Sequence, residues 1–141
     1  MGNRASDDSA SDRRWSTRTF VFTDIESSTK LLETLRDRYA EVLARHGRLI
    51  GEAAGRWGCE VVDTPGDAFF LVFKSLPAAL SFAADAQRAL AGERWPRRSA
   101  VKVRMGVHVG QATRSGGSYI GLDVHLAARI SNVAHGGQVL S

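Results

Sequence analysis

Residues 101 to 109 alternate without a break. Val101, Val103, Met105, Val107 and Val109 are apolar, and Lys102, Arg104, Gly106 and His108 stand between them. Side chains along a strand point to opposite faces with a period of two, so this segment demands a strand with one face on a core. Such a strand needs partners to be stable. Arg18-Thr19-Phe20-Val21-Phe22-Thr23, rich in β-branched and aromatic residues, supplies one, ahead of a polar turn from Asp24 to Ser28. Cys59 to Asp63 and Ala68 to Phe73 supply two more, joined as a hairpin by Thr64-Pro65-Gly66-Asp67.

Between the strands the period changes to three and four. Leu31, Leu32, Leu35, Tyr39, Val42, Leu43 and Leu49 predict two helices with a break near His46 or Gly47. Ser75 followed by Pro77 marks another helix start, with Leu76, Leu80, Ala83 and Leu90 as the expected buried stripe. Trp95 to Arg98 is expected as a loop, Gly116-Gly117 as a turn, Asp123 to Ala134 as a last helix, and Gln138-Val139-Leu140 as the start of one more strand. Met1 to Thr17 have little to bury and are expected to form a disordered tail, which leaves residues 18–141 as a single domain.

Strand, helices, strand, strand, helix, strand is the split β-α-β-β-α-β order. It predicts an α+β fold: a ferredoxin-like sandwich with helices on one face of an antiparallel sheet. In that topology the first and third strands are antiparallel neighbours. Asp24, which ends the first, and Asp67, which begins the third, therefore fall on the same edge of the sheet.

Composition narrows the function classes. Apolar residues make up 43% and charged residues 24%, the balance of a globular chain, and the apolar runs are strand-sized, too short to cross a bilayer. Asp7, Asp8 and Asp12 stand where a signal peptide needs an apolar stretch, and the single cysteine, Cys59, has no partner for an internal disulfide. Both point to the cytoplasm. The net charge of +4 is carried mostly by scattered arginines, without a lysine-rich tract or an interleaved aromatic set, which argues against a nucleic-acid partner.

Two converging carboxylates beside a helix N-terminus suit Mg²⁺, a hard cation that takes one or two carboxylates and completes its shell with water and substrate phosphates. The peptide N–H groups from Ile25 to Thr29, including those of Ser27, Ser28 and Thr29, could hold phosphate oxygens. The same residue types also serve as a helix cap at Asp24 and as turn chemistry at Asp67, and spacing alone leaves both readings open.

Four segments resemble the motifs of class III nucleotidyl cyclase catalytic domains, in the family's order. Phe20-Val21-Phe22-Thr23-Asp24-Ile25-Glu26-Ser27-Ser28-Thr29 looks like the first metal-binding segment, and Thr64-Pro65-Gly66-Asp67-Ala68-Phe69 like the second. Val103-Arg104-Met105-Gly106-Val107-His108-Val109-Gly110 is similar to the Arg-x-Gly-x-His-x-Gly strand, and Tyr119 to Ile130 resembles the helix carrying the transition-state residues. The resemblance implies conversion of ATP to 3′,5′-cyclic AMP and pyrophosphate in intracellular signalling. Asp24, Asp67 and the Ile25 carbonyl would hold two Mg²⁺ or Mn²⁺ ions, which activate the ribose 3′-hydroxyl and neutralise the triphosphate. Arg104 matches the triphosphate-binding arginine, and Arg129 the arginine that meets the α-phosphate from a partner subunit. A homodimer with its sites at the interface is implied. Read as a residue alone, Arg104 could equally be a solvated arginine on the exposed strand face; for Arg129 the alternative is a helix-surface arginine, which the fit of Val124-x-x-Ala127-Ala128-Arg129 disfavours.

Three positions depart from the family's pattern. Asp63 stands where a lysine reads the purine, Ser118 where an aspartate assists it, and His125 where an asparagine meets the ribose. His125 and Arg129 are four residues apart and would share one helix face. A carboxylate at Asp63 can only accept hydrogen bonds, from an exocyclic amine of adenine or from N1–H and N2–H of guanine, which keeps a GTP-using cyclase open. The family's domains also continue into a further hairpin with a triphosphate-binding lysine, which this chain is expected to lack. That leaves a second class of function: a catalytically silent cyclase-like module that binds nucleotide or dimerises.

Overall fold

The computed structural model describes residues 15–64, 67–115, 118–120 and 139–140. The expected tail before Trp15, the Gly116-Gly117 turn and the helix from Asp123 to Ala134 lie outside the described residues.

Strand β1 spans Ser16–Ile25, helix α1 Ser28–Leu35, helix α2 Tyr39–Arg56, β2 Val61–Asp63, β3 Phe69–Phe73, helix α3 Leu76–Gly92, β4 Val103–Ser115, β5 Ser118–Ile120 and β6 Val139–Leu140. The sheet order is β2-β3-β1-β4-β5, and β6 pairs in parallel with β4. Its first four strands are the antiparallel core expected from the element order. Strand β1 lies at the centre, with Thr23 opposite Phe69 on one side and Met105 on the other.

Alternation along these strands separates two apolar layers. Val21, Ile25, Leu71, Phe73, Val103, Met105 and Val107 share one cluster with the helices, through Leu35, Val42, Ile50, Phe82 and Leu90. On the opposite face, Phe20, Phe70, Val72 and Ala112 form a second cluster, with Phe22 packed against it. The Phe20 and Phe70 rings stack with 6.1 Å between centroids, and Phe22 tilts onto Phe70 at 4.8 Å.

Four expectations change. First, β1 begins at Ser16 and runs on through Asp24 and Ile25, because the β1–β4 register continues to Ile25 opposite Val103. Asp24 is thus a strand residue, and the position capping α1 is Ser27. Second, the helical stretch breaks at Arg36–Arg38, and α2 runs through His46 and Gly47. The turn falls where Arg36 takes a positive φ of 47°, which lets Leu35 and Val42 enter the same core.

Third, the buried stripe of α3 is Ala79, Phe82, Ala83, Ala86 and Leu90, while Leu76 and Leu80 are 36% and 44% exposed. Packing of the Phe82 ring on Phe73, at 5.2 Å, sets which face points inward. At 100° per residue, Leu80 lies about 100° around the helix from Ala79 and misses the core. Fourth, Pro96–Arg98 forms a short 3-10 turn within the expected loop. The start of α3 is as read: Ser75 accepts a hydrogen bond at its Oγ from the Ala78 N–H at 3.2 Å, with Pro77 in the first turn.

Candidate functional site

The antiparallel register sets Asp24 of β1 directly opposite Arg104 of β4. Both side chains leave the sheet on the face away from the helices, since their neighbours Ile25, Val103 and Met105 all enter the helical core. There the Arg104 guanidinium grips the carboxylate with two parallel bonds, Nε to Oδ1 at 2.8 Å and Nη2 to Oδ2 at 2.7 Å. The pair is half-buried, with 26% and 22% of the two side chains exposed. The hydrogen bonds that Arg104 donates to Asp24 are the main cause that pushes the Arg104 pKa above its already high value, and the charges of Asp24, Glu26 and Asp67 add to it.

Asp67 stands just before β3. Continuing the β1–β3 register two residues beyond Thr23 and Phe69 brings it level with Ile25. Its carboxylate acts on three groups. It adds to the field at Arg104, it raises the pKa of the Tyr39 hydroxyl after the larger effect of burial, and it opposes the burial that lowers His46 to about 4. Ser28, at the start of α1, also lies against the Tyr39 hydroxyl. Asp67 thus acts from the side of Tyr39 and His46 and adds to the field at the guanidinium that Asp24 holds.

The helix end beside them is open. Ser27 caps α1 in the left-handed conformation, φ 55° and ψ 43°, without a side-chain hydrogen bond. The first intrahelical bond runs from Leu31 N–H to the Ser27 carbonyl at 3.1 Å, so the amides of Ser28, Thr29 and Lys30 have no acceptor within the helix. The Glu26 N–H is already taken by the Lys102 carbonyl at 2.8 Å, which moves the available amides into the helix and away from the strand end. A groove of about 360 Å³ beside them is lined by Glu26, Ser27, Lys30 and Lys102, among others. A larger one, about 850 Å³, between α3 and the segment leading into β4, is lined by none of the candidate residues.

Asp63 ends β2 opposite Phe70, which in turn faces Phe22, so this row lies on the same side of the sheet as Asp24. The Asp63 side chain is exposed and accepts the Thr64 N–H at 2.9 Å. Ser118 opens β5 opposite Ser115. His125 and Arg129 lie outside the described residues.

Among the described residues, no group of three or more His, Cys, Asp or Glu stands together as a metal cage. The oxygen donors in place are two carboxylates and the backbone at the end of β1. That set suits a hard cation that completes its shell from phosphates and water. Tyr39 was hidden from sequence reasoning inside an apolar stripe. The available signal was that a tyrosine hydroxyl in a helical interface generally finds a polar neighbour.

Comparison with known proteins decides the family. The adenylate and guanylate cyclase catalytic domain matches residues 11–140. The chain belongs to this cyclase family. A receptor-type adenylate cyclase of Trypanosoma equiperdum is 29% identical over 164 residues, covering 86% of this chain and 35% of that protein. The cyclase chain therefore spans about a third of that relative's length, and 12% of two receptor-type adenylate cyclases of Leishmania donovani. A solved adenylate cyclase structure from Trypanosoma brucei, described in its monomeric state, superposes with a TM-score of 0.77 at 30% identity, covering 87% of this chain and 71% of that one. An adenylate/guanylate cyclase/hydrolase from Silicibacter pomeroyi gives a TM-score of 0.77 at 25% identity, covering 89% and 75%. The matched span, residues 11–140, runs across the four segments singled out in the sequence. No helix among the described residues of this cyclase chain is long and apolar enough to cross a membrane.

Proposed function

We propose that the chain is a nucleotidyl cyclase catalytic domain that converts ATP to 3′,5′-cyclic AMP and pyrophosphate, working in the cytoplasm as a homodimer with its sites between the two copies. The observation that carries the reading is the meeting of Asp24 and Arg104 on the sheet face opposite the described helices, with Asp67 adding to the field at Arg104.

Asp24, Asp67 and the Ile25 carbonyl would hold two Mg²⁺ or Mn²⁺ ions. Bound there, such ions lower the pKa of the ribose 3′-hydroxyl and neutralise phosphate charge. The chain's own groups do the rest. Arg104 presents a planar fork to the triphosphate, and the amides of Ser28 and Thr29, with the hydroxyls of Ser27 to Thr29 nearby, receive its oxygens. The 3′-oxygen bonds to the α-phosphorus as the bond to the β-phosphate oxygen breaks. Pyrophosphate leaves and the hydroxyl proton passes to solvent. Positioning and charge stabilisation supply most of the rate in such in-line transfers. His125 would hold the ribose, and Arg129 of a second copy would stabilise charge on the α-phosphate.

Asp63 supports GTP as a second substrate. Its exposed carboxylate at the edge of the Phe22–Phe70 row is an acceptor, matched to N1–H and N2–H of guanine, with Ser118 as the other purine-side candidate.

The test is to incubate purified protein with ATP or GTP and Mn²⁺, quantify both cyclic products, and repeat with Asp67→Ala. We expect cyclic product from the parent protein and a loss of at least about a hundredfold in the variant, the size of effect seen when transition-state stabilisers are removed. Product formation that ignores the substitution refutes the metal assignment. Nucleotide binding with no cyclic product from either substrate establishes the silent-module alternative.

A further inference from the structure

Both carboxylate oxygens of Asp24, the atoms a cation would draw on, accept hydrogen bonds from Arg104. We propose that Arg104 serves Asp24 as a built-in counter-cation while the site is empty, so that a divalent ion must displace it, and that the displaced guanidinium is thereby delivered to the triphosphate. This rests on the preceding assignment of Asp24 as a cation ligand and adds an order of events to it.

Geometry carries the argument. A bidentate arginine–carboxylate pair is among the stronger polar contacts, and this one joins residues 80 apart in sequence across a fixed strand register. A divalent ion coordinated by Asp24 would sit within a few ångströms of a guanidinium at 2.7–2.8 Å from the same carboxylate. Like charges that close repel strongly where water is partly excluded. Arginine cannot relieve the repulsion by losing a proton. It has to move. The same planar fork that fits a carboxylate fits a phosphate, so the triphosphate is its natural second partner.

Binding then becomes reciprocal. Cation and nucleotide each improve the other's affinity, because the cation frees Arg104 and the nucleotide captures it. Among the described residues, Glu26 also contributes negative charge at Arg104, which favours keeping the guanidinium near the site after Asp24 lets go.

The prediction has an unusual sign: removing a positive residue from a phosphate site should tighten cation binding. Mn²⁺ would be titrated calorimetrically into the nucleotide-free protein, its Arg104→Gln and Asp24→Asn variants and the double variant, with circular dichroism to verify folding. We expect Arg104→Gln to bind Mn²⁺ about fivefold more tightly or better, and a non-cyclising Mn²⁺–ATP analogue about fivefold more weakly, both within the usual range of coupling between sites. Unchanged or weaker Mn²⁺ binding in Arg104→Gln, with binding lost in Asp24→Asn, overturns the displacement and leaves the metal site standing. Mn²⁺ binding that does not depend on Asp24 in either background overturns the metal assignment itself. Should Arg104→Gln fail to fold, Mg²⁺ titration of the parent protein followed at the assigned Arg104 Nε–H resonance decides the matter. A marked shift at saturation is the expected result, and an unmoved signal refutes displacement.

Discussion

The His46 imidazole meets the ring of Phe69 edge-on, 5.5 Å between centroids, with its Nε2 buried and without a hydrogen-bond partner. Phe69 opens the strand that follows Asp67, so this histidine sits behind the candidate site. Burial lowers its pKa from 6.5 to about 4, against the smaller opposing pull of Asp67.

That shift makes stability depend on pH. The unfolded chain takes up a proton on His46 below about pH 6.5, while the folded chain refuses it until about pH 4. Between those values the unfolded state binds more protons, so stability falls as pH falls. At about 1.4 kcal/mol per unit, the full loss is about 3 kcal/mol once the pH is below both values. We expect His46→Leu to keep or raise stability at pH 7 and to flatten this acid limb. Urea denaturation from pH 7 to pH 4 measures it, and an equally steep limb in the variant would discount His46 as its source.

Asp63 tests substrate choice. If its carboxylate reads the base, Asp63→Lys should exchange an acceptor for a donor and favour adenine, whose N1 is an acceptor. The ratio of cyclic AMP to cyclic GMP formed at equal nucleotide concentrations should rise at least about tenfold, roughly 1.4 kcal/mol of discrimination. An unchanged ratio would mean that Asp63 does not contact the base.

Ser27 holds a left-handed backbone at the entrance to α1, with φ 55° and ψ 43°. That conformation costs a non-glycine residue about 1–2 kcal/mol. Ser27→Gly should therefore be neutral to about 1 kcal/mol stabilising, and Ser27→Val should destabilise by at least about 1 kcal/mol, as read by thermal unfolding. Equal melting temperatures for all three would show that the strain is absent in solution.

The topology was legible because alternation in residues 101 to 109 and the strand–helix order each admit few arrangements. The sheet order follows from them. The Asp24–Arg104 pair was not legible. It depends on the β1–β4 register, which is set by core packing of Val21, Ile25, Val103 and Met105 and by no local signal. In sequence the end of β1 looks like a turn, because Asp24, Glu26 and Ser27 are polar, yet its pairing continues until the Glu26 N–H meets the Lys102 carbonyl. Tertiary pairing overrode local propensity there.

Helix α3 shows the limit of periodicity most clearly. Leu76, Leu80, Ala83 and Leu90 recur at helical spacing as readily as Ala79, Phe82, Ala83, Ala86 and Leu90 do, and leucine outranks alanine on any hydropathy scale. Shape decides between the two stripes. Small alanines let the helix approach the sheet closely, and the Phe82 ring finds its space against Phe73. The two stripes therefore predict opposite mutational profiles. Truncating the fully buried ring in Phe82→Ala should cost about 3–5 kcal/mol through lost burial and the cavity left behind, whereas Leu80→Ala, at a side chain 44% exposed, should cost less than about 1 kcal/mol. Chemical denaturation of both variants separates the outcomes. A Leu80→Ala loss as large as that of Phe82→Ala would mean that α3 packs on its leucine face, and the helical layer described here would have to be rotated.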